Sequence, residues 1–153
     1  MKMENKKFNI RVYGFLIDEG SILVTDEFRL GIFMTKFPGG GLIYGEGIID
    51  CLKRELMEEL NMEIVNISHY YTTDFFLASE LLPVESQLIN VYYLVKAKKP
   101  YHFQTTGKKF DFPELVDGVQ RFRWIPITEL TEAEFTFPID KFIVHKLKKD
   151  FGN

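Results

Sequence analysis

The chain has 153 residues, of which 46% are hydrophobic and 27% charged, with a formal net charge of −3 and a single cysteine, Cys51. That is the size and make-up of about one globular domain with a substantial core. The mild acidity and the lack of a basic block argue against a nucleic-acid polymer or an anionic membrane as partner, and one cysteine excludes an intramolecular disulfide framework.

The opening MKMENKKFNI is charged and lacks the apolar stretch of a signal peptide, and no apolar run approaches transmembrane length. A cytoplasmic location is the expectation. Residues 8–17, FNIRVYGFLI, are aromatic and β-branched and predict a strand; Asp18-Glu19-Gly20-Ser21 supplies a turn, and residues 22–25 a partner strand. Residues 26–34 fit a short loop and strand carrying Arg29. They lead through Thr35-Lys36-Phe37 into a glycine-dense turn, Pro38-Gly39-Gly40-Gly41.

Residues 48–60 contain no Pro or Gly and predict a helix of about three turns. Ile49, Leu52, Leu56 and Leu60 fall on one apolar stripe, and Glu55, Glu58 and Glu59, at i, i+3 and i+4, share a neighbouring face. Like charges so spaced repel by a few tenths of a kcal/mol per pair in water. A hard dication such as Mg²⁺ or Mn²⁺, which prefers carboxylate and carbonyl oxygens, would turn that penalty into a binding site. The plainer account of such a run in isolation is a solvated acidic face partly paired with Lys53 and Arg54. Cys51, near the apolar side, is expected to be a buried structural thiol.

After the helix, residues 62–67 and 70–77 predict two strands, and residues 81–86, with Pro83, a loop. Residues 88–97, LINVYYLVKA, form the most strand-like segment and are expected to be central. Residues 98–112 are polar and predict a long loop, and residues 120–125 a further strand closed by Pro126. Thr131-Glu132-Ala133-Glu134 has the form of a capping box, with too short a run after it for much helix. Residues 139–151 predict a closing amphipathic helix, Pro138 at its start and Ile139, Phe142, Ile143 and Leu147 on its apolar face. Strands interleaved with two helices imply an α/β domain over residues 1–153, a mixed sheet with helices on both faces.

Gly40, Glu46, Arg54, Glu55, Leu56, Glu58, Glu59 and Met62 fit the pattern G-x5-E-x7-R-E-U-x-E-E-x-G-U, where U is a bulky aliphatic, with Pro38-Gly39 just ahead. This resembles the signature of the Nudix hydrolases. One position departs: the late glycine is Asn61, at a place just past the helix end where a left-handed backbone is needed and Asn is the next residue best able to adopt it.

The resemblance implies an α/β/α sandwich over essentially the whole chain. It also implies hydrolysis of the diphosphate linkage in a nucleoside diphosphate derivative, by attack of water on phosphorus, with Mg²⁺ or Mn²⁺ as cofactor. By that resemblance Glu58 and Glu59 are the main metal ligands, helped by Glu55 and the Gly40 carbonyl. Glu55 is also the candidate for activating water, and Glu46 and Arg54 are supports tying loop to helix. The residues suit that chemistry, since displacement at phosphorus needs neutralisation of oxygen charge and a deprotonated water. Glycine at positions 39–41 lets the backbone come close to a ligand.

Arg11, Arg29 and Lys36 are candidates for phosphate contacts, with exposed surface charge an equal account of each. Some members take a further acid from downstream. The segment ahead of Trp124 holds Gln120, Phe122 and Arg123 instead, and the nearest acids, Glu114 and Asp117, read as solvated loop carboxylates. Tyr70, Tyr71, Phe75, Phe76, Tyr92 and Tyr93 could stack on a base, although paired aromatics on strands usually split between core and surface. His69, His102 and His145 share no ligand spacing. The competing functions are a non-catalytic nucleotide-sensing domain, and an isomerase using a cysteine, disfavoured because Cys51 lies on the signature helix. Specificity is expected in residues 78–87 and 98–117; the substrate is not legible, and the oligomeric state stays open, a homodimer among the options.

Overall fold

The computed structural model describes residues 6–81 and 85–152. In chain order its elements are strands β1 (Lys7–Asp18), β2 (Ser21–Arg29), β3 (Ile32–Lys36) and β4 (Gly39–Gly41), helix α1 (Ile48–Leu60), strands β5 (Ile64–Thr72), β6 (Ser86–Ala97) and β7 (Val119–Pro126), and helix α2 (Pro138–Phe151). Two single 3-10 turns, Ile127–Glu129 and Glu132–Glu134, precede α2. These gather into two compact units, each from two separate stretches: residues up to 14 with 39–100, and 15–38 with those from 101 onward.

In the first unit, the first half of β1 pairs antiparallel with β4, setting Val12 opposite Gly40 and Arg11 opposite Gly41. The glycine run expected as a turn is therefore a short strand, held to β1 by backbone hydrogen bonds. β6 lies between β1 and β5 and is antiparallel to β5. The Lys7 N–H donates to the Glu85 carbonyl at 3.4 Å near one end of β1, and Gly14 sits beside Val95 near the other. β1 and β6 thus run the same way, and the sheet is mixed.

Helix α1 buries Cys51, Leu52, Leu56 and Leu60. A Cβ at Gly14 would lie 3.0 Å from a Leu56 methyl and 3.3 Å from one of Leu52, so the absence of a side chain there lets helix and strand close up. Asp50 in the first turn complements the helix dipole. At the other end Asn61 is left-handed at φ 48°, ψ 43°, and its N–H returns to the Met57 carbonyl at 2.9 Å.

One strand replaces the two expected between residues 62 and 77. β5 runs on to Thr72, with register shifts between Val65 and Ser68 and between His69 and Tyr71, and with Asn66 at φ 52°. Residues 73–77 lie outside regular structure, after which Ala78 bridges Gln87. Of the loop expected over residues 81–86, positions 82–84 lie outside the described residues, as do the first five residues of the chain.

In the second unit, β2 pairs with β7 along residues 21–28, and on its other side with the end of β1 and with β3. Asp26, expected in a loop, is inside β2. Phe37 makes ring contacts with Phe15 and Phe135, both at 4.7 Å, among buried Ile22, Met34, Leu130, Ile143 and Leu147. On α2 the apolar stripe is Ile139, Ile143, Val144 and Leu147; Phe142, expected in it, is 43% exposed, and Asp140 is buried instead. Thr131 makes no side-chain cap on the 3-10 turn that follows it. No helix among the described residues is long and apolar enough to cross a membrane.

Candidate active site

The glycine strand and α1 place the signature residues in the first unit. Glu55 lies directly over the Gly40 backbone: a Cβ at position 40 would sit 2.5 Å from both carboxylate oxygens, so only glycine fits. Glu58, one turn further on, has a side chain 60% exposed. Glu59 is half-buried, with its Oε2 atom shielded from solvent.

Arg54 knits the loop to the helix. Its Nε and Nη2 donate to the two Glu46 oxygens at 2.9 and 2.7 Å, a bidentate fork, and Nη2 donates to the Gly41 carbonyl at 3.1 Å. Nη1 donates to Glu55 at 2.9 Å and to Glu58 at 3.3 Å. Glu46 also accepts the Ile43 N–H at 2.8 Å. The Arg54 hydrogen bonds, with that amide, hold the Glu46 carboxyl down at about 2, and Glu46 in turn raises Arg54 above the ordinary guanidinium value. Burial, reinforced by the hydrogen bond and charge of Glu46, pushes the Cys51 thiol up to about 12, and its S–H faces the Gly41 carbonyl at 3.5 Å. Cys51 is wholly buried on the α1 side that packs inward, the structural thiol expected from the sequence.

The three phosphate-contact candidates separate. Arg11, in the first unit, donates from Nε to the Tyr13 hydroxyl at 2.7 Å, and its Nη1 lies 3.6 Å from where a Gly41 Cβ would be. Lys36 and Arg29, in the second unit, face buried Glu27, at 2.8 and 4.0 Å. Also there, Asp117 accepts the Leu30 N–H at 2.7 Å, closing the β2–β3 turn, and Glu114 is exposed. Sequence reading passed over Tyr13, although its spacing of two from Arg11 puts both on one side of a strand.

Among the described residues no three His, Cys, Asp or Glu side chains already converge as a cation cage. The donor chemistry nevertheless suits a hard dication: carboxylates on one helix beside a carbonyl-bearing glycine strand, with no soft ligand required.

A NUDIX domain model matches residues 7–145, most of the chain. The chain belongs to the Nudix hydrolase family, whose members are in general pyrophosphohydrolases acting on nucleoside diphosphate derivatives, and it is an enzyme of that type.

Among solved structures it is similar to one from a study of MutT from Aliivibrio salmonicida and Vibrio cholerae, with 20% identity, 96% of this chain and 100% of that one covered, and a TM-score of 0.64. It is also similar to a NUDIX hydrolase from Nitrosomonas europaea (19% identity, 94% and 90% covered, TM-score 0.63) and to a mutator MutT protein from Bacillus halodurans (19%, 90% and 80%, TM-score 0.62). At these identities the likeness carries the fold alone. No curated protein matches the chain.

Proposed function

We propose that this enzyme hydrolyses the diphosphate linkage of a nucleoside diphosphate derivative with Mg²⁺ or Mn²⁺ as cofactor, acting in the cytoplasm as one Nudix unit over residues 1–153. The observation that carries the reading is the seating of Glu55 on Gly40, with Glu58 and Glu59 on the same helix. Glu55, Glu58, Glu59 and the Gly40 carbonyl would hold the cation. Its chemistry there is neutralisation of charge developing on the phosphate oxygens and acidification of the attacking water.

Arg54 has a second set of partners, Glu46 and Gly41, so it stays anchored when Glu55 and Glu58 turn to other company. Glu55 is placed to accept a proton from water, and Gly40 keeps that spot clear of a side chain, while Gly39 lets the strand close against Val12 and Tyr13. Arg11, a donor-only group beside the glycine strand, is suited to orient a phosphate; Lys36 and Arg29, drawn to Glu27, are weaker candidates. With an enzyme family in place, no observation favours the nucleotide-sensing alternative.

The test is a panel of dNTPs, ADP-ribose, dinucleoside polyphosphates and nucleotide sugars, run with and without chelator. Glu58→Gln and Glu59→Gln should each lower kcat by about a hundredfold or more while the melting temperature holds. Undiminished turnover in both variants would end this assignment.

A further inference from the structure

Outside the carboxylate site, two buried side-chain atoms among the described residues lack a hydrogen-bond partner: Thr25 Oγ1 in the second unit and Asn90 Oδ1 in the first, the unit that holds the glycine strand and α1. Asn90, on β6, is 2% exposed. Its backbone is satisfied, since its N–H donates to the Thr73 hydroxyl and its carbonyl accepts the Thr73 N–H, each at 3.0 Å. Its side-chain Nδ2 donates to the Tyr92 hydroxyl at 3.1 Å. Its Oδ1 has no hydrogen-bond partner among the described residues. Leaving a buried acceptor unmade costs about 1–3 kcal/mol. Val or Ile would suit a strand interior better and carry no such cost. The chain keeps an acceptor there, and the Tyr92 hydroxyl aims it.

Contacts lead from that acceptor to the glycine strand. The Tyr92 ring stacks on Tyr13 at 5.4 Å between centroids. The Tyr13 hydroxyl accepts from Arg11, and Arg11 borders Gly41, the neighbour of the glycine beneath Glu55. Asn90 and Tyr92 alternate on β6, and Arg11 and Tyr13 on β1, so the four share the face opposite the one where Gly14 and Val95 meet α1. On this face lie, in sequence, one buried hydrogen-bond acceptor, two buried stacked rings and one half-buried cation. At neutral pH phosphate oxygens accept and do not donate, so Oδ1 cannot be read by the diphosphate; Arg11 can.

We propose that Asn90 determines specificity for the nucleoside part of the substrate, its Oδ1 accepting a hydrogen bond from an N–H or O–H donor of the base or sugar. The identity of the ligand rests on the hydrolase reading; the demand for a donor does not. A buried acceptor of this kind discriminates strongly, because a ligand lacking the matching donor leaves it unpaired.

The probes are the ribo- and 2′-deoxyribonucleoside 5′-monophosphates of the four bases, titrated by calorimetry into the full chain with chelator present. Wild type should favour one base, or ribose over deoxyribose, by about tenfold or more. The deoxy series separates sugar from base as the donor. Asn90→Ala should bring the set to within about threefold, and Tyr92→Phe, which keeps the stack, should weaken the same preference. In wild type, the Asn90 side-chain amide resonances should move on adding the favoured monophosphate, a readout that survives if a variant does not fold.

Unaltered preference in Asn90→Ala, or Asn90 resonances that no monophosphate moves, would overturn the proposal and leave an enclosed water as the partner of Oδ1. Absent turnover with metal, alongside an intact Asn90 response, would sink the hydrolase reading alone.

Discussion

Asn61 ends α1 in a backbone conformation that costs most residues about 1 kcal/mol or more and costs glycine almost nothing. Asn61→Gly should therefore leave the urea midpoint unchanged or slightly higher. Asn61→Ala should lower stability by about 1 kcal/mol, measured by the same titration. A larger loss in the glycine variant would show that the Asn side chain itself is needed.

At this scale the sequence was most informative where spacing alone set the geometry. Glu55, Glu58 and Glu59 share a helix face because the helix repeat puts them there, and Glu46 reaches Arg54 across the loop. Arg11, Arg29 and Lys36 looked alike in the sequence. Each is a cation near a predicted strand end or the glycine loop, and what separates them is the partner each meets: Tyr13 for Arg11, Glu27 for the others.

Among the elements, α1 was legible to the residue because its limits are written locally, in the Gly47 before it and the Asn61 after it. β5 was not. Its two register shifts break the in–out alternation, so one bulged strand read as two regular ones. β2 was cut short for a different reason. Asp26 is wholly buried within it, where Arg123 donates from Nε at 2.6 Å and from Nη2 at 3.1 Å, and the Thr35 hydroxyl donates at 2.7 Å. No local signal announces a partner 97 positions away.

Arg123 also donates to Glu134 at 2.9 Å. Burial would raise Glu134 and lower Arg123, yet these hydrogen bonds and the Lys109 charge keep Glu134 below the ordinary carboxylate value and Arg123 above its own. Arg123→Met would strand the Asp26 charge in the interior and should cost roughly 3–5 kcal/mol. Adding Asp26→Leu to that variant should restore much of the loss, since a buried pair is weakly stabilising against apolar replacements. Chemical denaturation of the single and double variants checks both statements; equal stability of single variant and wild type would show that the pair does not govern β2.

For the molecule as a whole, a net charge of −3 and three clustered glutamates make an anionic substrate unwelcome without a cation. A cation that binds only the folded chain adds stability by mass action, about 2.7 kcal/mol at a hundredfold excess over its Kd. Mg²⁺ should thus raise the melting temperature in scanning fluorimetry beyond what NaCl of matched ionic strength achieves. The excess should vanish with chelator and in the Glu58→Gln/Glu59→Gln double variant. An equal shift in that variant would place the cation elsewhere. The fold class was open to sequence reading because alternating strands and helices imply it; the division into two units was not, since neither is a continuous stretch.

That division bears on how the chain is made. As it leaves the ribosome, the β2–β3 hairpin arrives early, carrying Asp26 with no counter-charge, while β7, which supplies Arg123, is still untranslated. The buried seat of Asp26 cannot be completed until Arg123, 97 positions further on, has been added.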